Sequence, residues 1–185
     1  MTLMHTPSCD VGLDAPDFKL QGVDGRYWTR DECADKNGLL VMFICNHCPY
    51  VKAIQQRLIE DIAVLKKNAI GVVAIMSNDP DDYPEDSYRN MQRVAKDLNY
   101  NFPYLIDETQ EVAKAYGAIC TPDFFGYNKQ MALQYRGRLD ETGMKQHVGD
   151  AKRELVEAML EVAKTGKGPV EQVPSMGCSI KWRSA

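Results

Sequence analysis

Residues 39–52 read LLVMFICNHCPYVK, and they combine an apolar run, two cysteines and the start of an amphipathic segment. The apolar run at residues 39–44 predicts a buried strand, and the apolar residues beyond Pro49 recur at the spacing of a helix. Those helical positions are Val51, Ile54, Leu58, Ile62 and Leu65. A C-x-x-C pair, Cys45 and Cys48, therefore lies where a buried strand passes into a helix. Pro49 suits the first helical turn, because its missing N–H group costs nothing there.

This position favours a reactive cysteine. The first turn of a helix presents unpaired N–H groups and the positive end of the helix dipole, and both stabilise a thiolate. We expect Cys45, at the end of the strand, to feel this field most and to be the nucleophile, with Cys48 as the resolving thiol. His47 lies between them, and a protonated imidazole near Cys45 would lower its pKa. The motif predicts thiol–disulfide exchange.

The bulk properties agree with a globular redox protein. The chain has 185 residues, 44% of them apolar and 26% charged, with a net charge of −4. No stretch approaches the roughly 20 apolar residues of a membrane span, and no basic cluster predicts nucleic-acid binding. The N-terminal residues lack a basic segment followed by an apolar one, which predicts a cytoplasmic location. Six cysteines in a reducing compartment favour catalysis over a disulfide framework.

The remaining segments predict one α/β domain over residues 1–185. An irregular lead-in over 1–13 precedes a small β-hairpin, and further strands are expected over 70–76, 102–106, 123–127 and 131–135. Helices are expected over 31–36, 86–98, 107–116 and 145–164, the last with Val148, Ala151 and Leu155 facing inward. Residues 165–185 form a C-terminal tail. This order predicts a mixed central sheet flanked by helices, with an N-terminal hairpin.

Several motifs together resemble the thioredoxin-fold superfamily, and within it the small peroxiredoxin-like (AhpC/TSA-related redoxin) proteins of bacteria. The motifs are FICNHCPYVK at 43–52, the loop at 78–87, CTPDFF at 120–125, YRGRLD at 135–140 and GCSIKW at 177–182. The resemblance implies a thioredoxin-like fold with a cis peptide bond between Thr121 and Pro122, in a loop that faces the C-x-x-C. A cis Pro122 would expose the Thr121 backbone for strand-like pairing with a substrate chain.

The chain departs from the peroxiredoxin motif, which carries a proline, a hydroxyl residue and an arginine around its reactive cysteine. If Cys48 were that cysteine, Val41 would stand at the proline position and Cys45 at the hydroxyl position. The arginine position falls near Thr121. We therefore favour dithiol–disulfide exchange with a protein or small-molecule substrate. A weak thiol peroxidase, in which Cys45 reacts with peroxide and Cys48 or Cys178 resolves it, is the alternative.

Two further cysteines are candidates for the same site. Cys120 is either a third redox thiol or a small buried hydrophobe, and Cys178 is either an additional resolving thiol or a cysteine held in the tail by packing. A third hypothesis is a metal-binding module that uses Cys45, Cys48 and further Cys or His residues, although a second local ligand pair is missing. We expect no organic cofactor, and we expect the acidic loop at 79–86 to be solvated.

Overall fold

A computed structural model of the protein describes residues 2–145 and 151–184. The strands are β1 (Leu3–His5), β2 (Lys19–Gly22), β3 (Tyr27–Thr29), β4 (Leu39–Phe43), β5 (Gly71–Met76), β6 (Tyr104–Ile106), β7 (Cys120–Thr121), β8 (Asp123–Tyr127), β9 (Leu133–Tyr135) and β10 (Met176–Ser179). The α-helices are α1 (Arg30–Cys33), α2 (Pro49–Lys67), α3 (Tyr88–Asp97), α4 (Glu111–Tyr116) and α5 (Glu154–Thr165).

A seven-stranded mixed sheet forms the centre, in the order β3-β2-β6-β5-β4-β8-β9. Strands β4, β5 and β6 are parallel to one another, whereas β8 runs antiparallel to β4 and continues into the β8–β9 hairpin. The N-terminal hairpin of β2 and β3 joins the sheet at β6. The predicted mixed sheet with a thioredoxin-like strand arrangement is confirmed.

Alternation along β4 divides the core into two layers. Leu40 and Met42 pack in a cluster with buried residues of α2, α3 and α5. Leu39, Val41 and Phe43 point to the opposite face, where they pack with residues of α1 and α4. Both faces of the sheet are thus covered by helices, which explains why β4 and β5 are apolar at nearly every position.

The two chain ends are more ordered than the sequence predicts. Strand β1 lies within the expected irregular lead-in, and β10 lies within the expected tail. They pair with each other, and β10 also pairs with β7, so that a second sheet has the order β1-β10-β7. Short segments of three and four residues carry little periodicity, and here pairing between distant parts of the chain decides their structure.

The last helix is shorter than predicted. It begins at Glu154, and Ala151, which we expected within it, lies outside; Val148 falls outside the described residues. The N–H of Lys152 donates to the Glu141 carboxylate at 2.9 Å, which ties this segment to the preceding loop instead of to a helical carbonyl. No helix within residues 2–145 and 151–184 is long and apolar enough to cross a membrane.

Candidate active site

The C-x-x-C lies between the end of β4 and the start of α2, as predicted. Cys45 follows the strand, and Cys48 is the N-cap residue of α2, with Pro49 in the first turn. Both cysteines are thiols in this structure and both are buried, Cys45 at 2% and Cys48 at 0% exposure. Cys48, and not Cys45, therefore stands at the N-terminus of the helix. The expectation that Cys45 would feel the helix field most is wrong.

The loop at Thr121 and Pro122 faces both sulfurs. The Thr121–Pro122 peptide bond is cis, as the resemblance implied. The Thr121 hydroxyl lies 3.2 Å from Cys45 Sγ, and its carbonyl oxygen lies 3.1 Å from Cys48 Sγ, where it accepts a hydrogen bond from the thiol. One residue of this loop thus contacts both cysteines of the motif.

A third sulfur reaches the site from the C-terminal strand. Cys178 Sγ lies 3.0 Å from Cys48 Sγ, and Cys178 is buried. In the antiparallel pairing of β10 with β7, Cys178 stands directly opposite Thr121. We expected the Thr121 backbone to be exposed for pairing with a substrate chain, but strand β10 of the same chain already pairs with it. This expectation is therefore wrong for the structure described.

Cys120 is not brought to the sulfur cluster. It precedes Thr121 in β7, so alternation directs its side chain to the other face of the strand, and its Sγ contacts the Pro122 carbonyl at 3.6 Å. Burial raises the pKa of the Cys120 thiol. Of the two alternatives, this environment favours a small buried residue over a third redox thiol.

The protonation order of the pair differs from the predicted one. The pKa of Cys48 is lowered, because the Cys45 thiol donates a hydrogen bond to its sulfur; the Cys178 thiol and the Val51 backbone N–H add further hydrogen bonds. Burial raises the pKa of Cys45, and its hydrogen bond to Cys48 and the negative charge of Asp86 raise it further. Burial and the Thr121 carbonyl favour the neutral Cys48 thiol, but the hydrogen bonds from Cys45, Val51 and both the thiol and the backbone of Cys178 outweigh them. The pair therefore shares one negative charge, which the surroundings of Cys48 favour more than those of Cys45.

Asp86 organises the turn between the cysteines, a role that we did not predict. We expected a solvated acidic loop, yet Asp86 is fully buried. Its Oδ1 accepts hydrogen bonds from the backbone N–H groups of Asn46 and His47, at 2.7 and 3.2 Å. Its Oδ2 lies 2.5 Å from His47 Nδ1 and 2.8 Å from Asn78 Nδ2. Although burial opposes it, these hydrogen bonds, above all those from His47 and Asn78, lower the pKa of Asp86.

The parallel pairing of β4 and β5 is the signal that could have pointed to Asp86. The carboxyl ends of neighbouring parallel strands meet at one edge of the sheet, so the segments after them lie side by side. The turn with Cys45 follows β4, and the loop with Asn78 and Asp86 follows β5. A carboxylate in the second loop is therefore a neighbour of the first.

His47 is held in one orientation. Its ring stacks on Tyr83 with a centroid distance of 4.7 Å, and its Nδ1 faces the Asp86 carboxylate. Its Nε2 is buried and has no hydrogen-bond partner among the described residues. A ring nitrogen of His47 lies within 4.8 Å of Cys45 Sγ. The predicted neighbourhood of His47 and Cys45 is present, with Asp86 as the residue that orients the imidazole.

One group of side chains has the composition of a metal site. Ligand atoms of Cys45, His47 and Asp86 all lie within 4.8 Å of one another. However, each Asp86 oxygen already has two hydrogen-bonded neighbours, which fills the lone pairs of the carboxylate. The carboxylate fits the role of an outer residue that orients His47 better than the role of a ligand.

Comparisons with known proteins agree with this geometry. The AhpC/TSA family matches residues 11–140. A thiol-disulfide oxidoreductase ResA of Geobacillus thermodenitrificans is 24% identical over 144 residues, which is 77% of this chain and 78% of that protein. The crystal structure of an uncharacterized conserved protein from Geobacillus kaustophilus superposes with a TM-score of 0.94 at 40% identity, over 100% of this chain and 98% of that one.

A more distant structure shows the fold alone. The thioredoxin domain of a thiol-disulfide oxidoreductase from Bacteroides vulgatus superposes with a TM-score of 0.58 at 11% identity, over 70% of this chain and 89% of that one. The protein is thus a thioredoxin-fold redoxin. Since the matching region covers most of the sequence, the chain belongs to the AhpC/TSA family.

Proposed function

We propose that the protein exchanges thiols and disulfides through Cys45 and Cys48, with protein or small-molecule disulfides as substrates. The observation that carries the proposal is the arrangement of these two thiols. They hydrogen-bond to each other at the N-terminus of α2, and both face Thr121 in the cis-proline loop. A lowered pKa on one cysteine of such a pair favours the thiolate that exchange requires.

The reaction follows the chemistry of thiolates. A thiolate of the pair attacks one sulfur of the substrate disulfide, a mixed disulfide forms, and the other substrate sulfur leaves with the electron pair. The second cysteine of the pair then attacks the protein's own sulfur in the mixed disulfide. This attack releases the second substrate thiol and leaves a Cys45–Cys48 disulfide. Two electrons have passed from the protein to the substrate, and an external thiol reductant returns them for the next turnover.

The hydrogen bond between Cys45 and Cys48 prepares the pair as a unit. Because one proton is shared along it, a single negative charge serves both sulfurs, and the titration belongs to the pair and not to either cysteine alone. Strand end, turn and helix keep the two residues within reach of each other throughout. Asp86 engages His47 Nδ1 and thereby keeps the imidazole oriented beside Cys45, with a ring nitrogen within 4.8 Å of Cys45 Sγ.

Reduction of insulin disulfides tests the proposal. We expect Cys45→Ser and Cys48→Ser each to lower turnover by about 100-fold or more, because loss of either thiol leaves the mixed disulfide unresolved or unformed. Cys9→Ser is the matched control, since Cys9 is a partly exposed thiol outside the motif and should leave turnover unchanged. If both motif variants kept the full rate, the proposal would be wrong.

A thiol peroxidase is the second candidate, and one contact favours it. The Thr121 hydroxyl lies 3.2 Å from Cys45 Sγ, so a hydroxyl stands beside a thiol although not at the peroxiredoxin sequence position. Peroxide would oxidise Cys45 to a sulfenic acid. The thiol of Cys48 or Cys178 would then react with this sulfenic acid to form a disulfide and water. The rate of hydrogen peroxide consumption, measured by stopped flow, distinguishes a thiol peroxidase from an enzyme of thiol–disulfide exchange. A rate no higher than that of a simple thiol excludes the peroxidase.

A further inference from the structure

The C-terminal strand β10 is part of the site although it lies about 130 residues beyond the C-x-x-C, and it is held there from both sides. Strand β1 pairs with one edge and β7 with the other. The Ser175 hydroxyl, just before the strand, donates a hydrogen bond to the Pro122 carbonyl at 2.8 Å. The tail is therefore docked on the cis-proline loop by backbone and side-chain contacts together.

The register of β10 directs Cys178 at the motif. Residues that stand opposite each other in an antiparallel pair share one face, so Cys178 lies on the same face as Thr121, which contacts both Cys45 and Cys48. The result is the distance of 3.0 Å between Cys178 Sγ and Cys48 Sγ. A sulfur this close, with little exposure, needs only a small movement to form a bond.

Gly177 permits this close approach. A Cβ atom added at residue 177 would lie 2.1 Å from the Thr121 carbonyl oxygen, a distance that real side chains do not reach. Any larger residue would push β10 away from the cis-proline loop. Gly177 thus keeps Cys178 beside Cys48 without itself taking part in any chemistry.

We propose that Cys178 is a third redox thiol of this site, and that Cys48 forms a disulfide with Cys45 or, alternatively, with Cys178. The inference deepens the proposed function and rests on it. In the oxidised site, the Cys178 thiolate attacks Cys48 Sγ of the Cys45–Cys48 disulfide, so that the Cys48–Cys178 bond forms and the Cys45–Cys48 bond breaks. The electron pair leaves on Cys45, which takes up the proton that Cys178 gave up.

This exchange has a defined consequence for the site. No electrons are gained or lost, since the oxidising equivalent moves from one cysteine pair to the other. Cys45 becomes a thiol again, and β10 becomes covalently attached to the start of α2. The edge of β7 at Thr121, with which β10 pairs, then stays covered until an external thiol reduces the Cys48–Cys178 bond.

Disulfide mapping tests the inference. The full-length protein is oxidised with excess oxidised glutathione, alkylated in acid, digested and analysed by mass spectrometry. In the wild type we expect an internal disulfide within the peptide that holds Cys45 and Cys48, and a cross-linked pair of peptides for Cys48–Cys178. In Cys45→Ser, Cys48–Cys178 should become the main disulfide. Cys120→Ala is the matched control, because Cys120 lies on the other face of β7, and it should keep the wild-type pattern.

Two further variants keep the test decisive. Cys178→Ala should form Cys45–Cys48 only, and Gly177→Val should reduce the yield of Cys48–Cys178 at least tenfold with every thiol still present. If the wild type and Cys45→Ser both lack the Cys48–Cys178 peptide, the inference is overturned, while a Cys45–Cys48 disulfide with insulin reduction leaves the proposed function intact. If neither disulfide forms and insulin is not reduced, the proposed function itself is overturned.

Discussion

The two cysteine sulfurs and the turn that joins them are held by different parts of the molecule. The sulfur side consists of Thr121 and Cys178, which contact Cys45 and Cys48 from β7 and β10. The carboxylate side consists of Asp86, which binds the backbone of the turn and the His47 ring from the loop after β5. The first side supplies a thiol, a hydroxyl and a carbonyl oxygen, and the second supplies a buried negative charge.

The two sides of the site have separate tasks. Groups that share protons with sulfur decide which cysteine ionises, so the sulfur side controls reactivity. A carboxylate that accepts several backbone and side-chain hydrogen bonds fixes geometry, so the carboxylate side controls where the cysteines and His47 stand. Substitutions on the sulfur side should therefore alter the thiolate titration, whereas substitutions on the carboxylate side should alter the free energy of unfolding.

The largest effect is expected in the thiolate titration of the sulfur side. Because the folded structure lowers the pKa of Cys48, its thiolate should be present well below the ordinary cysteine value of about 8.5. Ultraviolet absorbance measures the thiolate as the pH is raised. The thiolate that forms at low pH in the wild type should be absent in Cys48→Ala. In Cys45→Ala it should form only at higher pH, since the largest stabilising hydrogen bond has gone. A low-pH thiolate that survives Cys48→Ala would assign it to another cysteine.

The next effect tests the carboxylate side. Asp86→Asn replaces a buried acceptor of several hydrogen bonds with a group that has one oxygen and two donors, and it should lower the free energy of unfolding by about 3 kcal/mol. Urea unfolding at neutral pH measures it. Asp82→Asn, an exposed position in the same loop, is the control and should change the free energy by at most about 0.5 kcal/mol.

The pH dependence gives this prediction a sign. The folded pKa of Asp86 is lowered, so its ionisation contributes stability that is fully present above the unfolded value of about 3.9. That contribution is lost as the pH falls through the lower folded pKa. The difference between the wild type and Asp86→Asn should therefore shrink below about pH 4. A difference that grows on acidification would contradict this account.

The sequence was informative about the two sides to very different degrees. The strand, the C-x-x-C and helix α2 follow from local patterns, because apolar periodicity and Pro49 act over neighbouring residues. The cis bond before Pro122 followed from a resemblance, and the structure confirms it. These features involve segments whose own sequence carries a strong preference.

The rest depends on contacts between distant segments. Strand β10 has four residues and no clear alternation, and it exists because β1, near the N-terminus, and β7, at residues 120–121, supply partners on its two edges. Asp86 looks like a solvated acid among several in its loop, and only the parallel register of β4 and β5 brings it under the turn. The order of the cysteine pKa values also depends on residues that the tertiary structure brings to the sulfurs. These residues lie outside the C-x-x-C motif.

The smallest effect returns to the sulfur side. Thr121→Val keeps the size of the side chain and removes the hydroxyl that lies 3.2 Å from Cys45 Sγ. Because this hydrogen bond opposes the rise in the pKa of Cys45, its loss should raise that pKa further and slow alkylation of Cys45 by about two- to fivefold, which corresponds to about 0.5 to 1 kcal/mol. Peptide-resolved alkylation with iodoacetamide, with exposed Thr109→Val as control, measures it. If the free energy of unfolding fell by this amount while the alkylation rate of Cys45 stayed unchanged, the hydroxyl would act on packing alone. Thr121 would then not belong to the groups that adjust the pKa values of the pair.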